Sequence, residues 1–184
     1  METDEQVALR VQNGEAEAFG ELVERYQGKL MRYARKFLLE SDDAQDIVQD
    51  IFIKTYENMQ SFDASRRFSP WIYRIAHNEF VNALKKRSAS HTVFTFDIDT
   101  LFPHLAAPET ADSASLERDV RQTLEGHLDK LGAKYREPLI LYYLEGMDYK
   151  EISEILQIPV STVGVRLARA RGMLKKIAGE RTDI

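Results

Sequence analysis

Cysteine is missing from this 184-residue chain, and with it go disulfides, thiolate metal sites and any cysteine nucleophile. No apolar run approaches the roughly 20 residues that a membrane span needs. The opening residues are acidic and polar rather than a basic stretch leading into an apolar one, so the expectation is a cytoplasmic protein without membrane insertion. Also absent are a phosphate loop, G-x-S-x-G and H-E-x-x-H. His77, His91, His104 and His127 are scattered. Asp97-Ile98-Asp99 has the D-x-D form of a metal motif, but in an acidic stretch that pattern is weak. The chain is therefore expected to be no enzyme and to use no catalytic residues, metal or cofactor. A last absence is local: from Gln157 to Gly179 there is not one Asp or Glu.

What is present supports a globular fold. Hydrophobic residues make up 43% of the chain, enough for one ordinary domain or two small ones. The net charge of −5 argues against DNA binding driven by charge alone, because phosphate contacts supply most nonspecific affinity. Cations nevertheless gather at Lys85, Lys86 and Arg87 and again from Arg166 to Lys176. Any DNA binding must be local or assisted.

The acid-free stretch belongs to a pattern that predicts a helix-turn-helix from Asp148 to Lys176. Its first helix carries Ile152, Ile155 and Leu156 at helical spacing, and Asp148 with Glu151 makes an Asp form of the capping box. Gln157, Ile158 and Pro159 are too few for anything but a turn, and proline is tolerated where a helix begins. Val163, Leu167, Ala170 and Leu174 form the packing stripe of the second helix. Ser161, Thr162, Val165, Arg166 and Arg169, with Arg171 following, are expected on a free face that reads the DNA major groove. A solvated basic face accounts for the charge, but not for the agreement of turn, cap, stripe and charge.

Upstream, helical periodicity runs almost throughout from Thr3 to Ser88. A short helix spans about Asp4 to Gln12, and a longer one has Phe19, Leu22, Val23, Tyr26, Leu30, Tyr33, Ala34 and Phe37 on one face. Ser41 is read as the cap of a third, with Asp42 and Asp43 in its first turn and an inner face of Ala44, Ile47, Val48, Ile51 and Phe52. A loop from Met59 to Arg67 leads to a fourth helix, about Phe68 to Arg87, with Phe68, Ile72, Ile75, Ala76 and Ala83 on one side. Between Ser88 and Ser115 periodicity fails, prolines appear, and four acids stand without a Lys or Arg, which reads as a linker. Helices resume from Leu116 to about Leu131 and from about Ala133 to Gly146. The fold class expected is all-α: two small helical domains joined by an acidic, largely irregular linker, the second ending in the helix-turn-helix.

Two surfaces in the first domain carry candidate chemistry. On the third helix Asp46, Gln49, Asp50 and Ile53 share the outer side; acid beside an exposed aliphatic fits a protein partner, and the carboxylates lack the loop geometry of a calcium site. On the fourth, Phe68, Trp71 and Tyr73 interleave with Arg66, Arg67 and Arg74, and Asn78, Lys85, Lys86 and Arg87 follow. Unpaired bases stack on rings while their phosphates meet cations. The alternative is that Phe68 and Trp71 are core residues.

D-A-Q-D-I-V-Q-D-I-F from Asp43, F-S-P-W-I-Y-R-I-A-H-N from Phe68 and I-P-V-S-T-V from Ile158 occur in that order. The chain thereby resembles the short, two-domain sigma factors of bacterial RNA polymerase, the extracytoplasmic-function group of the sigma-70 family, over nearly its whole length. The resemblance implies a region 2 domain at 1–88, a linker at 89–115 and a region 4 domain at 116–184. It implies core RNA polymerase binding through Asp46, Gln49, Asp50, Phe52 and Ile53. It implies −10 recognition and melting through the Met59–Arg67 loop and Arg66, Arg67, Phe68, Trp71, Arg74, Asn78, Lys85, Lys86 and Arg87. Residues Ser161, Thr162, Val165, Arg166, Arg169 and Arg171 fall where −35 DNA is read. The implied partners are core polymerase, promoter DNA and an anti-sigma factor, with no obligate homo-oligomer. Gly164 and Val165 depart from the family pattern, as do Asn82 and Lys85. Two other readings stay open on the residues alone: a sigma-like decoy for an anti-sigma factor, and a helix-turn-helix regulator acting by itself.

Overall fold

The structure, a computed structural model, describes residues 2–38, 43–87 and 126–179, and two compact units divide the chain between Thr92 and Val93. Among the described residues there is no strand, and no helix is long and apolar enough to cross a membrane. Ser41 and Asp42, the expected linker and the start of the helix expected from Leu116 lie outside the described residues.

The first unit begins with α1, Asp4–Gln12, started by a capping box in which the Thr3 hydroxyl accepts from Gln6 N and the Gln6 side chain accepts from Thr3 N. It stops at Asn13, and Gly14 turns the chain with φ +101°, a conformation that costs a residue with a Cβ. A short 3-10 turn leads into α2, Phe19–Leu38. Leu22, Tyr26, Leu30, Tyr33, Ala34 and Phe37 are buried along its inner face. Helix α3, Ala44–Glu57, buries Val48, Ile51 and Phe52. Its N-cap is Asp43, which corrects the expectation that Ser41 caps the helix and Asp43 lies in the first turn: the helix starts two residues later than that cap suggested.

Helix α4, Phe68–Arg87, closes the unit. Its core side adds Tyr73 and Phe80 to the expected residues, while Ile75 and Ala83 are only half-buried. Tyr33 stacks on Tyr73 at 5.5 Å and meets Phe80 edge-on at 4.8 Å. Each such ring contributes roughly 1.5–3 kcal/mol by burial. Lys54 pairs with Glu79 at 2.6 Å across α3 and α4.

In the second unit, the helix expected to reach about Leu131 does not run through Gly126 to Leu131; a turn and a 3-10 turn at Leu128–Lys130 stand there. Helix α5, Ala133–Leu139, contains Pro138. Proline withdraws one amide from the helical ladder, and the next residues, Ile140–Leu144, wind as a π-helix rather than the continuous α-helix expected. Gly146, φ +69°, ends it. Helix α6, Tyr149–Leu156, is capped by Asp148, whose carboxylate accepts from Glu151 N at 2.8 Å while Glu151 accepts from Asp148 N at 2.9 Å. Gln157 takes the left-handed conformation, φ 54°, and its side-chain amide donates back to Glu154 O at 2.6 Å. Helix α7, Val160–Gly179, then packs against both α5 and α6 through Val163, Leu167, Ala170 and Leu174.

Candidate functional site

On α3, Asp46, Gln49, Asp50 and Ile53 are exposed together, and Ile53 leaves 49% of its surface in solvent. Gln49 and Ile53 line a groove of about 660 Å³ between α2 and α3, and Asp46 and Asp50 follow the lining residues Gln45 and Gln49 in sequence. Phe52 is buried in its wall, where Phe19 meets Phe52 edge-on at 6.4 Å and Tyr56 at 5.2 Å. Val23 and Met31 continue the lining, with Gln27, Gln45, Gln49 and Glu57 also among its lining residues. Tyr56, 46% exposed, was missed in the sequence; its signal was an aromatic three residues after an exposed Ile, on one helical face. A largely apolar trough lined by Glu57, on a helix that also exposes Asp46 and Asp50, can take an apolar helix that carries cations.

The second surface is the loop before α4 and the outer line of that helix. Trp71, Arg74, Asn78 and Lys85 recur at helical spacing away from the core; Arg74, Asn78 and Lys85 are exposed, as are Arg66, Arg67 and Lys86, and Trp71 is half-buried. The side chain of Arg87 lies outside what the structure describes. Phe68 is corrected: it is 0% exposed, packed edge-on against Tyr26 at 5.4 Å and Phe62 at 5.3 Å, so it stacks on protein rings rather than on a base. Tyr73 is likewise core. Helix phase explains both, since Phe68, Ile72, Ala76 and Phe80 recur every four residues on the inner side and Tyr73 shares that side with Ala76 and Phe80 at spacings of three and seven.

The third surface is α7, and here the expected free face is corrected. Ser161 is exposed and Arg169 half-buried, but Thr162, Val165 and Arg166 are 0%, 1% and 8% exposed. Desolvation pulls the pKa of Arg171 down, but hydrogen bonds and electrostatic interactions with Tyr143 and Tyr149 together outweigh it and hold the pKa above its ordinary value. A helix gripped by more than one neighbour buries a wider arc than one stripe. Gly164 faces the Tyr149 ring, 3.7 Å from where a Cβ would stand.

Residues 22–90 match the family model described as sigma-70 region 2, and residues 121–174 that of sigma-70 region 4. Over 91% of its length the chain is 33% identical to the ECF RNA polymerase sigma factor SigW of Bacillus subtilis, covering 92% of that protein. The chain belongs to the ECF sigma factors of the sigma-70 family. It is 34% identical to the ECF RNA polymerase sigma-E factor of Escherichia coli strain K12, with 92% of the chain and 91% of that protein aligned. Among solved structures, CnrH in complex with the cytosolic domain of CnrY shares 26% identity at a TM-score of 0.70, covering 97% of this chain and 99% of that one. The sigma factor RpoE in complex with the anti-sigma factor NepR from Bartonella quintana shares the fold at a TM-score of 0.64 and 23% identity, covering 88% and 96%. As a sigma factor the chain works with core RNA polymerase and promoter DNA to direct promoter-specific initiation.

Proposed function

We propose how this sigma factor divides its work. Residues 1–88 bind core RNA polymerase and open the −10 element, 89–115 connect, and 116–184 read the −35 element. The observation that carries this is the groove between α2 and α3, largely apolar, whose α3 lining residues Gln45 and Gln49 are each followed in sequence by an exposed carboxylate, Asp46 and Asp50. Ile53 and Tyr56 give the partner an apolar anchor, and the carboxylates favour one that brings cations. The outer line of half-buried Trp71 and exposed Arg74, Asn78 and Lys85, with Arg66 and Arg67, takes the separated strand. On α7, Ser161 and Arg169 meet the DNA, while Thr162, Val165, Arg166 and Arg171 hold the helix in place.

The chain acts in the cytoplasm, carries no catalytic activity of its own, and is controlled by an anti-sigma factor; the protein-bound forms of the two solved neighbours support that last step. Asp46→Arg reverses an exposed charge on α3 next in sequence to the groove residue Gln45 without touching the core, so core-polymerase affinity should fall more than about tenfold with the helical circular dichroism spectrum intact. Unchanged affinity would move the partner surface elsewhere. Arg169→Ala should weaken promoter binding by about 1–3 kcal/mol on the preferred −35 sequence and less on others. Equal loss on every sequence would make Arg169 a phosphate contact.

A further inference from the structure

Helix α1 is tied to both ends of the loop that precedes α4. The side-chain amide of Gln12 donates to Met59 O at 2.8 Å and to Phe62 O at 2.7 Å, using both of its hydrogens on carbonyls about 50 residues away. Gln60 answers by donating its own amide to Gln12 O at 3.0 Å. At the far end, the amide of Phe68 donates to the Glu5 carboxylate at 2.9 Å. A carboxylate there also meets the positive end of α4. Between the two anchors the loop is braced from within: Asp63 accepts from Ser65 N at 3.0 Å and from its hydroxyl at 2.7 Å, and Arg66 N donates to Asp63 O at 2.9 Å.

The alternation of burial gives this brace a direction. Met59 and Phe62 are buried beneath the loop, while Gln60, Ser61, Asp63, Ser65, Arg66 and Arg67 are exposed. A short polar loop without such anchors would sample many conformations, and ordering it on binding would cost conformational entropy. Fixing its backbone beforehand removes that cost and fixes which polar atoms face the ligand.

We propose that α1 is a positioning element for promoter opening: Gln12 and Glu5 preorganise the loop so that its exposed polar edge selects one unpaired base of the −10 strand. This rests on the reading of the loop as a −10 contact. Gln12 and Glu5 themselves are positioning residues and need not touch DNA. Their effect is on selectivity between bases rather than on core binding, which is proposed for the α2–α3 groove that neither residue lines.

The test uses holoenzyme reconstituted from the full chain and core RNA polymerase, on fork DNA whose single-stranded −10 segment carries one base change at a time. Gln12→Glu keeps the side-chain shape but replaces the donor with an acceptor. With two hydrogen bonds lost, selectivity at one −10 position should fall about tenfold, with core affinity unchanged. Amide exchange across the loop should quicken in the free protein. Glu5→Ala should act in the same direction, whereas Glu5→Gln, which retains the acceptor, should keep most of the selectivity. If Gln12→Glu does not fold, the Glu5 pair decides. Asp63→Ala and Arg67→Ala, which alter the exposed edge without removing a bond between α1 and the loop, provide the control. If they flatten the base preference while the α1 variants leave it intact, positioning by α1 is overturned and the loop reading stands. If neither set alters it, the loop is not the −10 reader and the proposal falls with that reading. Slow, unaltered amide exchange in the α1 variants also overturns it.

Discussion

Gly164 lies inside α7 with the Tyr149 ring 3.7 Å from the position a Cβ would take. That is ordinary van der Waals contact, so a methyl group fits, and glycine's extra freedom in the unfolded chain is a cost with no steric return. Gly164→Ala is expected to stabilise the protein by about 0.5–1 kcal/mol, read as a higher urea midpoint at unchanged slope. Tyr26 supplies a pH test. Burial first, and then its hydrogen bond to Asp4, push the phenol above its ordinary value of 10.0. The folded state therefore keeps a proton that the unfolded state releases, so this contribution is present below about pH 10 and is lost as pH rises beyond it. Urea midpoints between about pH 8 and pH 11 should fall less steeply in Tyr26→Phe than in the parent. Parallel profiles would contradict that. Residue-level burial was only partly legible in the sequence. The stripe Val163, Leu167, Ala170 and Leu174 followed from period alone, whereas the burial of Val165 and Arg166 depends on how many neighbours grip α7, which no local pattern encodes.

At the scale of elements, the caps and breakers were the readable part. Asp148 and Glu151 stand at the capping-box spacing and make both reciprocal bonds, and Asn13-Gly14 ends α1 as expected. Asp148→Ala should cost about 1 kcal/mol by leaving first-turn amides of α6 unpaired, measured by thermal or urea unfolding. No change would mean that packing alone starts the helix. The π-helical segment after Pro138 was not readable, because a widened turn depends on where the broken hydrogen-bond ladder finds new partners. The brace from α1 to the 59–67 loop escaped for a related reason: Gln12 and its acceptors are far apart in sequence, and an amide side chain carries no period. Phe68 was ambiguous because the same aromatic pattern serves a core or a stacking platform, and only the rings of Tyr26 and Phe62 decide between them.

On the scale of the whole molecule, an acidic protein with a net charge of −5 reads promoters without a large electrostatic attraction of its own. On the proposed division of work, polymerase holds the sigma factor at the groove between α2 and α3. Modest local surfaces on α4 and α7 then act at high effective concentration. The three motifs in order made the family legible from sequence; the groove, which needs α2 and α3 side by side, became visible only in the fold. The central claim is that this chain makes core polymerase promoter-specific through both units together. The most direct measurement is sequencing of the transcripts made when the full chain is added to core polymerase on bacterial genomic DNA. Initiation should cluster at start sites that share one −35 and one −10 element, and Asp46→Arg should abolish the cluster. A folded protein that binds core polymerase yet leaves initiation as scattered as core alone would contradict the account.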